Sequence, residues 1–194
     1  HANFPVTAVA SSVRTFHCLR RYALIRYRAL THHDAQYLED FLYLALHQTD
    51  PSHPFARSIV RRPELSIYTR NWGRAGDIGV VATTGVVGDS SPSSENIIGI
   101  AWARILGGPI PGYGNLDEDT PELSIAIKQQ FRGAGVGSEL LRHLTQRLAA
   151  QGYSRVSLSV QKTNPAHRLY LREGFIVHEE RGDDWIMILD LRNL

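Results

Sequence analysis

The sequence predicts one α/β (α+β) domain. It should hold a mixed central sheet of about six to seven strands, antiparallel in its first half and parallel at strands four and five, flanked by about four helices. Three observations predict this. First, Leu123, Ile125 and Ile127 alternate with Ser124, Ala126 and Lys128, the period of two of a strand. Second, past Gly137 the period lengthens: Leu140, Leu141, Leu144 and Leu148 recur at helical spacing, and a further apolar run, 155–160, comes after them. A strand, a helix and a strand in that order form a crossover, so the two strands should be parallel. Third, the apolar runs 77–84 and 97–106 flank a Gly-, Ser- and Pro-rich segment, 85–96, as in an antiparallel hairpin.

Residues 1–22 contain no acid but include Arg14, Arg20 and Arg21; a targeting leader, an added tag and a poorly ordered extension all fit. The domain is expected over 23–194, with a first strand at 23–30. Thr31 then caps a helix with Asp34 in its first turn. Leu38, Phe41, Leu42 and Ala45 form its buried face, and Pro51 and Pro54 end it. A second helix is expected over 55–71, interrupted near Pro63. Residues 107–120 are irregular, with four glycines before Asp117, Glu118 and Asp119. After the fifth strand, Asn164 and Pro165 open a short helix that Gly174 stops. A last strand pair is expected at 175–179 and 184–191.

Composition narrows the function. The 194 residues are 43% hydrophobic and 21% charged, as in an ordinary soluble globule. A net charge of +2 gives no reason to expect nucleic acid or membrane binding. No apolar run approaches the ~18 residues of a spanning helix. The single cysteine, Cys18, forms no internal disulfide, which fits a reducing, cytoplasmic setting while leaving organellar targeting open. The nine histidines show neither H-E-x-x-H nor Cys/His ligand spacing, so no metal is expected.

The chemistry concentrates in the turn Arg132-Gly133-Ala134-Gly135-Val136-Gly137-Ser138. It joins a strand to a helix N-terminus, where amides lack intrahelical partners and the helix dipole is positive. Its glycines let the backbone approach a ligand. Together these make an anion site suited to pyrophosphate. It is not a P-loop, because no glycine here precedes lysine. Nor is it a dinucleotide fingerprint: Gly137 arrives one residue early, and residues 149–155 hold no acid.

The pattern Arg132-x-x-Gly135-x-Gly137 resembles the acetyl-CoA pyrophosphate loop of the GNAT N-acetyltransferase superfamily. Asn164-Pro165-Ala166-x-x-Leu169-Tyr170-x-x-x-Gly174-Phe175 resembles that superfamily's second signature. The resemblance spans about residues 24–191 and is strongest in the second half. It implies that strands four and five splay apart and that residues 132–138 hold the pyrophosphate. It also implies that the exposed backbone of Ile125, Ala126 and Ile127 receives the pantetheine arm, with Asn164 contacting that arm. One of those amides would polarise the thioester carbonyl. Tyr170 would be the general acid, facing the cofactor while Leu169 turns into the core. Glu122 would be the general base, at the mouth of the splayed strand. Ser159 stands where other relatives carry a glutamate.

The implied reaction moves acetyl from acetyl-CoA to a primary amine, on a small molecule or a peptide or protein N-terminus, by direct attack through a tetrahedral intermediate. A non-catalytic acyl-CoA sensor is the alternative, and a homodimer is left open. Residues 117–122 either line the acceptor mouth, favouring a cationic amine, or form a solvated charge run.

Overall fold

The structure, a computed structural model, describes residues 25–48, 50, 52–85, 96–192 and 194. The expected leader, 1–22, and the centre of the 85–96 loop lie outside them. Seven strands form one mixed sheet: β1 (Ile25–Ala29), β2 (Ile78–Thr84), β3 (Asn96–Arg104), β4 (Glu122–Ile127), β5 (Arg155–Gln161), β6 (Ile176–Arg181) and β7 (Asp184–Asp190). Their order across the sheet is β1-β2-β3-β4-β5-β7-β6, and only β4 and β5 run parallel. The helices are α1 (Leu38–Ala45), α2 (Pro63–Ser66), α3 (Val136–Ala150) and α4 (His167–Arg172).

Alternation along β4 divides its side chains between two cores. Leu123, Ile125 and Ile127 pack beneath α3, whose Leu140, Leu141, Leu144 and Leu148 are all at most 1% exposed. A side chain at Gly99 of β3 would press to within 2.9 Å of Leu140 Cδ1, so that glycine lets α3 settle on the sheet. Ala126 faces the other core, with Leu38, Phe41, Leu42, Leu65, Tyr68 and Trp102.

Two helices differ from the sequence-based expectation. The first keeps Thr31 as its cap, in a capping box with Asp34, but starts as a 3₁₀ turn, His32–Tyr37. Both the amide and the hydroxyl of Thr31 donate to Asp34 Oδ2, at 2.8 and 2.7 Å. The helix expected over 55–71 is instead a 3₁₀ turn, Arg57–Arg61, the single turn α2, and irregular turns. Pro63 removes a donor and holds Arg62 extended, at ψ 144°.

The chain just past α2 is fixed from the sheet. Arg104, 1% exposed, pairs with Asp77 at 2.7 Å and donates to the carbonyls of Ile67 and Arg70, at 2.9 and 3.0 Å. Trp102 Nε1 donates to the carbonyl of Tyr68 at 3.0 Å. These bonds replace the helical ones the stretch lacks, and they aim Tyr68 at the start of β4.

Candidate active site

β4 and β5 part soon after they meet. Their pairing among the described residues is Glu122↔Ser157, with the Ser157 amide donating to Pro121 O at 3.0 Å. The Lys128 amide donates to Ile98 O on β3 at 2.9 Å. Main-chain direction alternates along a strand, so the even-numbered residues of β4 bond β3 and the odd-numbered ones face β5. Ile125 and Ile127 therefore present main-chain groups to the gap, as an added extended segment would need. Ala126 does not: its main chain is paired with Ile100.

The turn after β4 opens on this gap. Gly133 and Gly135 have φ of +77° and +81°, and a Cβ at either would meet nothing within 4 Å. Gly135 caps α3, and the first amide of α3 to bond back to it is that of Glu139. The amides of Val136, Gly137 and Ser138 are thus the unpaired donors of the helix start. Gly137 serves packing, since its Cβ would lie 3.1 Å from both Ile127 Cδ1 and Leu169 Cδ2. Arg132 is exposed and folds back, its Nε donating to Ile127 O at 3.1 Å. Ala134 is exposed beside it. Open space above residues 133–135, three free amides and a positive dipole fit a pyrophosphate.

Asn164 and Tyr170 stand across the gap, after β5. Asn164 is half-buried, and its Oδ1 accepts the Ala166 amide at 3.0 Å, so it caps the turn into α4. Tyr170 is 8% exposed and meets Phe175 edge-on, at 5.8 Å between centroids. Its hydroxyl has no hydrogen-bond partner among the described residues, and burial pushes its pKa up to about 12. On α4, Tyr170 is itself part of the core, and the half-buried Leu169 packs against that core over Gly137.

Glu122 sits where β4 and β5 meet, but not at an open mouth. It is 3% exposed and sealed beneath residues 112–114. Tyr68 Oη donates to its Oε1 at 2.7 Å, and its Oε2 has no partner among the described residues. Burial raises its pKa to about 7, against the lowering effects of the Tyr68 bond, the Gly114 amide and the Arg181 charge. Tyr68 and the glycines at 112 and 114 belong to this site, yet no pattern in the sequence assigns them to it. The glycines before the acidic run are the one signal that could have found it.

Of the acidic run, Glu118 and Asp119 are exposed, and Asp117 pairs with Arg155. Ser159 on β5 donates to Asp184 at 3.2 Å. Among the described residues no group of three or more His, Cys, Asp or Glu could hold a metal ion, and no helix is long and apolar enough to cross a membrane.

The chain belongs to the acetyltransferase (GNAT) family, whose model matches residues 46–175. Over 86% of its length it superposes on the GNAT domain of S. lividans PAT, with a TM-score of 0.60, 18% identity and 90% of that chain covered. It also superposes over 86% of its length on the PaiA N-acetyltransferase of Thermoplasma acidophilum, solved with coenzyme A, with a TM-score of 0.59, 17% identity and 99% of that chain covered. A mycothiol acetyltransferase of Corynebacterium aurimucosum is 29% identical over 89 residues, 45% of this chain; the match spans 27% of that enzyme's length.

Two expected results test the geometry. Gly135→Val forces a β-branched residue into left-handed backbone and fills the space above the amides. Acetyl-CoA affinity by titration calorimetry should fall at least ~10-fold, or ~1.4 kcal/mol; unchanged affinity in a folded variant counts against the placement. The second is a pH effect. The folded-state pKa of Glu122, about 7, lies above its ordinary value of 4.5. Its contribution to stability is therefore complete below that ordinary value and is lost as pH rises through about 7. In Glu122→Gln, the fall in melting temperature over this range should become shallower.

Proposed function

We propose that this acetyltransferase acts on a primary amine, carried by a small molecule or by a peptide or protein N-terminus. The observation that carries the reading is the Glu122 carboxyl. An ammonium group must lose a proton before it attacks a carbonyl, and a base with pKa near the working pH does this best. Glu122 meets that requirement at the apex of the strand gap.

The other residues take complementary roles. The amides of residues 136–138 hold the pyrophosphate of acetyl-CoA, which supplies an activated thioester. Ile125 and Ile127 bind the pantetheine arm through their main chains, and one of their amides polarises the carbonyl. Asn164 shapes the turn that faces the arm. Tyr170, neutral up to about pH 12, donates a proton to the departing thiolate. Because Glu122 is sealed, its proton is exchanged through a water or when residues 112–114 shift. The test is thiol release from acetyl-CoA across a panel of amines, peptides and aminoglycosides. Mass spectrometry of the product should show acetyl on nitrogen; acetyl found only on oxygen or sulfur overturns the amine reading.

A further inference from the structure

We propose that Tyr68 is a positioning residue for the transfer reaction: its hydroxyl holds the Glu122 carboxyl in place and ties down residues 112–114, which cover that carboxyl. The proposal rests on the reading of Glu122 as the base.

Tyr68 is 5% exposed and reaches Glu122 from the turn after α2, 54 residues away in sequence. Its oxygen makes two hydrogen bonds, each 2.7 Å long, to Glu122 Oε1 and to the Tyr113 amide. A backbone amide can only donate, so toward Tyr113 the hydroxyl accepts. Its single proton is thereby committed to Glu122. The carboxyl is held by Oε1, and Oε2 is the oxygen left to take a proton.

The cover is built to the same template. A Cβ at Gly112 would lie 2.0 Å from Glu122 Oε2, and one at Gly114 would lie 2.7 Å from the Leu158 carbonyl carbon. Only a glycine strap can lie here between the carboxyl and β5. The strap is held on its far side by Arg181 of β6, which donates to the carbonyls of Tyr113 and Asn115, each at 3.1 Å. The charged and titratable groups facing Glu122 are thus Tyr68 from the α2 side and Arg181 from β6, with the Tyr113 side chain stacked on Tyr68 at 6.5 Å. From β3, Arg104 is directed to Asp77 instead. On β5, Ser157 carries no charge.

The Tyr68 bond favours the ionised carboxyl, so its loss has a signed consequence. In Tyr68→Phe, the Glu122 carboxyl should titrate about one pH unit higher by ¹³C NMR, with its resonance assigned by its disappearance in Glu122→Gln. The Tyr113 amide should exchange with solvent at least ~10-fold faster, while amides bonded between β3 and β4 keep their protection. Difluorotyrosine placed at position 68 is a stronger donor and should move the Glu122 midpoint down. A tyrosine that merely packs would shift neither midpoint. Should Tyr68→Phe not fold, the difluorotyrosine protein alone decides. An unmoved Glu122 midpoint overturns the proposal. If turnover survives in Glu122→Gln, the reading of the base itself falls, however Tyr68 behaves.

Discussion

Glu122→Gln should lower turnover with a competent amine by about 10²-fold or more, leaving acetyl-CoA affinity near that of the unmutated enzyme. The substitution preserves shape: the Gln carbonyl can still accept the Tyr68 hydroxyl, and the NH₂ replaces an oxygen that has no partner among the described residues. What it removes is the capacity to take a proton. The pH profile separates this loss from a packing defect. A base must be ionised to act, so kcat/KM in the unmutated enzyme should rise with pH through about 7. Glu122→Gln should lose that limb and keep only a limb set by the amine's own ionisation, at higher pH. If turnover and profile are both unaltered, Glu122 is a bystander.

The regions proposed to hold acetyl-CoA are the most legible in the sequence. The turn at 132–138 and the helix after it are local: alternation, glycines and a leucine repeat all lie within 30 residues, and each has a short-range physical cause. The strand gap also comes from order, because a helix between two strands makes them parallel. Legibility fails where distant chain converges. Residues 55–71 carry Val60, Leu65 and Tyr68 at roughly helical spacing, yet Pro63 breaks the ladder and Arg104, from β3, takes the carbonyls a helix would use. The sealing of Glu122 needs Tyr68 from 54 residues upstream and the glycines 8 and 10 residues ahead of it, a convergence no local pattern announces. The burial of Tyr170 on α4 is illegible for another reason. Six residues are under two turns, too short for periodicity to say which of two neighbours is buried.

That last ambiguity makes Tyr170→Phe the most informative single substitution. If the Tyr170 hydroxyl protonates the departing thiolate, its removal should slow the chemical step by about 10²-fold. Stability should respond in an unusual way. A buried hydroxyl with a partner contributes about 1 kcal/mol, but this one has none among the described residues. Deleting it should leave the melting temperature unchanged or slightly higher, since the ring's edge contact with Phe175 survives. Activity lost with stability kept is the signature of a group retained for chemistry. Activity and stability both kept would make Tyr170 a core aromatic, leaving the thiolate to be protonated by water. The leaving group offers an independent check. A more acidic thiol departs readily without a proton, so the defect in Tyr170→Phe should shrink for an acetyl thioester of lower thiol pKa. A defect of constant size would point to misplaced cofactor rather than to a missing acid.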